Sequence, residues 1–349
     1  MDIFRSMELH GYGDLYLRRD DSVGLRAIIA VHDTTLGPAL GGCRMIAYPT
    51  EIAAVEDALR LARGMTYKAA LAGLSHGGGK SVILRPQAIP NRKALFQAFG
   101  RFIEDVGRYI TAEDSGTGIE DMEAVRTVTK HVTGVSPENG GSGDPSPFTA
   151  LGVRRGIEAC AKYKLGRGDI EGLRVLVQGV GHVGYHLCRE LASVGAHLTV
   201  ADVDDTKAKR AADEFGAAIA QTDEVFGLEA DVLAPCALGS GLNDATVPWL
   251  RVPIVAGAAN NQLAEQRHGD LLHDRGILYA PDYAINAGGL INVAHEAKGY
   301  VEAESRAQVM RISETITEIA ERSARTGTAT HRVADAIVHE RLTAGRRAG

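Results

Sequence analysis

Apolar residues in the first third of the chain fall into two patterns. Leu25 to Val31 and Ser81 to Leu84 are short continuous apolar runs, whereas Glu51 to Arg63 and Asn91 to Val106 repeat apolar residues every three or four positions. The first pattern predicts strands and the second amphipathic helices, so an α/β domain is expected here. Between Val135 and Pro147 the patterning stops at SPENGGSGDPSP, whose Gly, Ser, Pro and Asn favour turns over helix or strand. It is either a hinge or an active-site loop between domains. From Gly172 to Ala280 short β-branched runs (RVLVQG, HLTVAD, DVLAPC, VPIVAG, ILYAPD) alternate with helical stretches, which predicts a parallel, doubly wound sheet. Two helical stretches follow, roughly Ala303 to Arg325 and His331 to Arg346. The expected organisation is an N-terminal α/β domain over 1–145 and a Rossmann domain over 146–329, with a cleft between them and a helix at about 330–349 returning to the first domain.

Composition narrows the function classes. A chain of 349 residues, 45% hydrophobic and 23% charged, can bury two sizeable cores. Its formal charge of -6 supplies no basic field for nucleic acid or an anionic membrane surface, so neither partner is expected. Cys43, Cys160, Cys188 and Cys236 lie far apart, with no CxxC pair and no His cluster at zinc-ligand spacing. They predict reduced core thiols and no metal site. The first residues lack the apolar stretch of a signal peptide, and no run reaches the ~18 apolar residues of a membrane span. A cytoplasmic location is expected.

Two regions carry candidate chemistry. In RVLVQGVGHVG, Gly179, Gly181 and Gly184 stand in GxGxxG spacing after a strand and at the start of a helix, with Val180, His182 and Val183 between them. The next strand, HLTVAD, ends on Asp202 at the distance expected of a ribose-binding acid. The glycines would let backbone N–H groups approach a pyrophosphate, and the helix N-terminus would favour its charge. A carboxylate at Asp202, with no Arg directly after it, favours NAD over NADP. A glycine turn in a nucleotide-free sheet would carry the glycines but would not require the acid.

The second region is RGMTYKAALAGLSHGGGKSVI, with Lys68, Lys80 and the glycines Gly77 to Gly79. It is not a P-loop: five residues, not four, separate Gly73 from Gly79, and strand-like SVIL follows where a helix is required. The glycines would instead permit close backbone packing while Lys80 projects beside Lys68. Two neighbouring, partly desolvated ammonium groups disfavour each other's charge, so one could act as a base near neutrality. Two solvated lysines would give the same pattern.

GPALGGCR, RGMTYKAALAGLSHGGGK, YITAEDSGT, SGDPSPFTALGV, GVGHVG, APCALG, VAGAANNQL and YAPDYAINAGGLINV occur in this order from about Gly24 to about Glu296. Together they resemble the leucine, phenylalanine, valine and glutamate dehydrogenase family, its leucine-acting members most. The resemblance implies an NAD-dependent homo-oligomer, with a first domain that binds substrate and forms the oligomer, catalysing reversible oxidative deamination of an L-amino acid to a 2-oxo acid and ammonia. By the same resemblance, Lys68 binds the substrate α-carboxylate, Lys80 is the catalytic base and Asp114 a second acid-base group. Asn260 contacts the substrate, Thr149 and Asn286 lie near the nicotinamide, and Cys236 and Ala237 belong to the cofactor site. These residue types suit the chemistry, since water must be deprotonated and the departing amine protonated. From the pattern alone, Asp114 could equally be a helix N-cap before SGTGIEDMEAV. His76 and Cys43, the latter where Thr is expected, depart from the family pattern without touching a proposed catalytic group.

The resemblance also addresses the substrate side chain. The glutamate-acting members carry a lysine at the position of Leu40 and a serine at that of Val293. With apolar residues at both, a buried substrate carboxylate would cost several kcal/mol, so glutamate is disfavoured. Gly41, Ala112 and Leu290 complete the pocket by the same match, Leu290 standing where valine is more usual. A broad branched-chain preference is expected, because one methylene in an apolar pocket discriminates only about 10- to 200-fold. A phenylalanine- or tryptophan-preferring enzyme is the alternative, and a noncatalytic NAD-binding protein a further one.

Overall fold

The computed structural model describes residues 3–11, 13–237 and 239–348. The chain divides into two compact α/β units. One comprises Met1–Asp144, Ile291–Glu302 and His339–Gly349, and the other Pro145–Leu290 and Ala303–Val338.

The first unit contains α1 (Ile3–His10), β1 (Asp14–Asp20), β2 (Leu25–Asp33), β3 (Ala39–Ile46), α2 (Glu51–Leu71), β4 (Gly77–Leu84), α3 (Arg92–Val106), β5 (Tyr109–Glu113) and α4 (Ile119–Arg126). Its five-stranded sheet has the order β1-β2-β4-β3-β5, antiparallel from β1 to β4 and parallel thereafter. Side chains alternate along each strand, so consecutive residues serve opposite cores. Leu25, Ile29, Cys43, Met45 and Ile83 face one layer with Phe96, Phe99, Phe102 and Met122. Each buried phenylalanine contributes about 2–3 kcal/mol there. On the opposite face Ile28, Ala30 and Val82 meet Ala54, Ala58, Leu59 and Ala62 of α2. These small side chains let α2 lie close to the sheet. Thr50 caps α2 by accepting the Ala53 N–H at 3.1 Å. At the other end Arg341 donates Nη1 to the carbonyls of Ala70 at 2.7 Å and Leu71 at 3.1 Å, in the last turn of the helix.

The second unit contains α5 (Ser146–Leu165), β6 (Arg174–Gln178), α6 (His182–Ala192), β7 (His197–Ala201), α7 (Asp205–Phe215), β8 (Ala218–Ile219), β9 (Val232–Pro235), β10 (Ile254–Val255), α8 (Gln266–Asp274), β11 (Leu278–Tyr279) and α9 (Asp282–Ile285). Its six-stranded sheet is parallel throughout, in the order β11-β10-β9-β6-β7-β8. The chain runs outward from β6 through β7 and β8, then returns to the other side at β9. A ligand-binding crevice is expected at this reversal, outside the carboxyl ends of β6 and β9.

Four helices complete the chain: α10 (Gly288–Ala294), α11 (Glu302–Met310), α12 (Ile312–Thr326) and α13 (Thr330–Ala348). The helix expected over Ala303 to Arg325 is two helices. Buried Ser305, Val309, Ile312, Ile316 and Ile319 keep helical spacing across the break, which is a local tightening where the Arg311 N–H bonds to the Gln308 carbonyl at 3.1 Å. Among the described residues no helix is long and apolar enough to cross a membrane.

Candidate active site

The triple glycine lies in β4, where each residue meets a different neighbour. A Cβ at Gly77 would lie 1.9 Å from the Asp33 carbonyl oxygen, at Gly78 2.0 Å from the Thr66 nitrogen, and at Gly79 2.7 Å from the Tyr109 ring. The motif is therefore a close-packing device within a strand. Lys80 follows, only 4% exposed, on the same face of the sheet as Val82. An unpaired ammonium there would cost several kcal/mol. Its partner is Asp114 Oδ2, just beyond β5.

Asp114 is not a helix cap, since α4 starts only at Ile119 with Gly118 before it. A turn holds it: the Asp114 N–H donates to Thr117 Oγ1 at 2.9 Å, and that hydroxyl donates to the Cys43 carbonyl at 2.8 Å. Burial alone would raise the Asp114 pKa, but the Lys80 ammonium and then the Arg44 guanidinium hold it well below the usual carboxylate range. Gly42 makes room for the pair, because a Cβ there would lie 2.9 Å from Asp114 Cβ and 3.3 Å from Lys80 Nζ. Beneath it, burial pushes the Cys43 thiol up to about 12, so it remains protonated.

Sequence reasoning did not single out Arg44, although it ends the quoted GPALGGCR motif. Alternation along β3 turns it toward α2, where Nη1 lies 2.9 Å from Asp57 Oδ2 and Nη2 3.6 Å from Asp114 Oδ1. Among the remaining nominated residues of this unit, Leu40 is buried in β3 beside Gly41, and Ala112 pairs with Gly42 in the adjacent strand. Lys68 is half-buried in the last turns of α2. Val293 is buried in α10. Just beyond, the Glu296 carboxylate accepts the N–H groups of Gly134 and Ser142, each at 2.9 Å, which holds the start and the middle of the Gly/Ser/Pro segment.

In the second unit the glycine turn leaves β6 at the topological reversal. Gly179 has φ +93°, and a Cβ there would lie 2.6 Å from the Ala237 nitrogen, so only glycine fits. At Gly184 a Cβ would lie 2.0 Å from the Gly179 carbonyl oxygen, which brings α6 against the turn. A Cβ at Gly181 would meet nothing within 4 Å, leaving the backbone open for a ligand beside Val180, His182 and Val183. Asp202 follows β7, its Oδ2 accepting the Val180 N–H at 2.7 Å and its Oδ1 the Asp204 N–H at 2.9 Å. Cys236 follows β9 and donates its N–H to the Gln178 carbonyl at 2.7 Å, fixing Ala237 beside Gly179. Thr149 donates to the Pro145 carbonyl at 3.1 Å near the start of α5. Asn286 donates to Asn260 Oδ1 at 2.8 Å and to the Ala258 carbonyl at 2.9 Å, while its own oxygen is buried without a partner. Leu290, also buried, lies one helical turn before Val293.

Among the described residues the group with metal-ligand geometry is Asp244, Glu265 and His268. Arg267 already neutralises Asp244 with two bonds of 2.6 and 2.5 Å, and His268 Nδ1 accepts the Glu265 N–H at 3.0 Å. This is a helix-start capping arrangement.

One unit thus holds a part-buried Lys–Asp pair suited to proton transfer, and the other a GxGxxG turn at the reversal of a parallel sheet, the arrangement of the dinucleotide-binding fold class. The comparisons specify the family. Residues 15–131 match the Glu/Leu/Phe/Val dehydrogenase dimerisation domain, and residues 199–343 match the glutamate/leucine/phenylalanine/valine dehydrogenase model. Leucine dehydrogenase of Bacillus cereus is 51% identical over 343 residues, covering 98% of this chain and 94% of its own. The Geobacillus stearothermophilus enzyme of the same name is 50% identical over 349 residues, covering 100% and 95%. The crystal structure of L-tryptophan dehydrogenase from Nostoc punctiforme superposes with a TM-score of 0.86 at 42% identity, covering 99% of each chain. This chain belongs to the Glu/Leu/Phe/Val dehydrogenase family. It is an amino-acid dehydrogenase acting on a CH–NH2 group, in a family that uses NAD(P).

Proposed function

We propose that this chain catalyses the reversible, NAD-dependent oxidative deamination of a branched-chain L-amino acid to its 2-oxo acid and ammonia. The observation that carries this reading is the part-buried Lys80–Asp114 pair, with Lys80 in β4 next to β3, whose Leu40 is apolar where glutamate-acting members have lysine. Lys68 binds the substrate carboxylate. Lys80 Nζ takes the proton of the water that attacks the imine carbon, and Asp114 exchanges a proton with the departing nitrogen. Leu40, Gly41, Ala112, Leu290 and Val293 line the side-chain pocket, and Asn260 contacts the substrate.

The glycine turn, Cys236 and Ala237 would hold the pyrophosphate end of NAD, Asp202 its ribose, and Thr149 and Asn286 its nicotinamide. The unpartnered Asn286 oxygen and the open space at Gly181 fit that group. Bound NAD supplies the acceptor for the hydride that leaves Cα. The match to a dimerisation domain supports a homo-oligomer, and the four free thiols suit the reducing cytoplasm.

Steady-state NADH formation with leucine, isoleucine, valine, phenylalanine, tryptophan and glutamate tests the reading. The branched-chain substrates should give the highest kcat/KM, glutamate at least about tenfold lower. Lys80→Ala should remove most turnover without changing NAD affinity, and Asp202→Ala should raise KM for NAD and relax discrimination against NADP. A higher kcat/KM for tryptophan would replace the branched-chain reading by an aromatic one. Absence of NADH with every amino acid would end the catalytic one.

A further inference from the structure

We infer that Arg44 is a positioning residue for the Lys80–Asp114 pair, and that with Asp57 it sets the pH at which the pair releases its proton. The inference rests on the catalytic reading of that pair. Lys80 holds Asp114 Oδ2, and Arg44 Nη2 stands 3.6 Å from the other oxygen, Oδ1. Arg44 Nη1 is 2.9 Å from Asp57 Oδ2, which also accepts the Tyr48 hydroxyl at 2.7 Å, while Asp57 Oδ1 takes Arg60 Nη2 at 2.7 Å. Asp57 is thus shared between two arginines and leaves part of the Arg44 charge uncancelled. With side chains only 22% and 15% exposed, the Arg44–Asp57 pair is incompletely screened by solvent.

A guanidinium keeps its proton throughout the working pH range, whereas the ammonium of a base must lose its own. When Lys80 is deprotonated, Asp114 loses its nearest cation. Arg44 then keeps Asp114 a carboxylate and opposes retention of the proton by the pair. Every element around Asp114 enters this balance: Lys80 from β4, Arg44 from β3, and Asp57 and Arg60 from α2, which also carries Lys68. Tyr48 contributes from the segment after β3. On the opposite face of the sheet Cys43 is a neutral thiol, and Arg92 with Asp121 forms a compensated pair at 2.6 Å.

The test is the pH profile of kcat/KM for the best amino-acid substrate with saturating NAD, on the intact enzyme. Arg44→Met should move the limb on which the rate rises with pH upward by about one unit, which lowers the rate on that limb about tenfold. Arg44→Lys should return the limb part of the way. Asp57→Asn, which leaves the guanidinium in place and removes its counter-charge, should move the limb to lower pH. A residue of purely structural importance would lower activity without these opposite displacements. Should Arg44→Met not fold, Arg44→Lys and Asp57→Asn carry the test. If both Arg44→Met and Asp57→Asn keep the wild-type limb while Asp114→Asn abolishes turnover, Arg44 has no such role and the catalytic pair stands. If Asp114→Asn itself turns over normally, the catalytic reading falls and takes the proposal with it.

Discussion

Asn286 donates its side-chain amide to Asn260 Oδ1 at 2.8 Å, which leaves the Asn286 oxygen as a buried acceptor with no partner. A second donation, to the Ala258 carbonyl at 2.9 Å, fixes the amide's orientation. An acceptor in that state favours a ligand that brings a donor, such as a carboxamide N–H. Asn286→Ala should weaken NADH binding about tenfold, the equivalent of one hydrogen bond. Fluorescence titration with NADH measures it, and unchanged affinity would remove Asn286 from the cofactor site.

Gly42 and Gly181 should respond oppositely to one methyl group. At Gly42 the new Cβ meets the Glu113 carbonyl at 2.7 Å as well as the Lys80–Asp114 pair, so Gly42→Ala should cost about 1–3 kcal/mol of stability and most of kcat. At Gly181 it meets nothing within 4 Å, so Gly181→Ala should keep the wild-type unfolding midpoint and lose NADH affinity. Urea denaturation beside NADH titration separates the two. Equal destabilisation by both would contradict the packing described.

The depressed pKa of Asp114 has a consequence for acid stability. Its folded value lies below the ~3.9 of an unfolded aspartate, so its contribution is fully present above about pH 4 and is lost as pH falls through the folded value. Asp114→Asn should therefore lower stability at neutral pH, leaving Lys80 without its anion, and flatten the decline below pH 4. Urea midpoints between pH 6 and pH 2 check the slope. Parallel curves for wild type and variant would show that Asp114 is not perturbed.

Replacing Leu40 with Lys and Val293 with Ser should admit glutamate by giving its carboxylate a cation and a hydroxyl. Leucine turnover should fall together with that gain, because the ammonium needs solvation that an apolar side chain cannot provide. Comparing kcat/KM for leucine, valine, phenylalanine and glutamate on both proteins decides it. A double variant with the wild-type ranking would exclude these residues from the pocket.

Much of this arrangement was legible in the sequence because it is written in local chemistry. All five β-branched runs of the second unit are strands, β6, β7, β9, β10 and β11, and the GxGxxG spacing marked the turn between β6 and α6. Where side chains carry no pattern, the reading stopped short. β4 begins at Gly77, four residues before the apolar run that announced it, because three glycines have no hydropathy to alternate. α2 extends past Arg63 to Leu71 and so takes in Lys68, beyond the stretch whose apolar spacing announced the helix. Arg44 was missed for a different reason: its significance lies in reaching both Asp57, thirteen residues on in α2, and Asp114 in another strand's turn. Contacts between distant segments leave no local trace.

The first unit is assembled from three stretches of sequence, and the last of them, with Arg341 capping α2 and Arg346 bound to Asp33 at 3.0 Å, follows the whole of the second unit. During synthesis the helix that carries Lys68 therefore emerges from the ribosome long before its cap exists. The second unit is already fully translated by then. Completion of the first unit is thereby tied to synthesis of residues that follow the second, and a nascent chain cut short before Arg341 would display a complete second unit and an unfinished first.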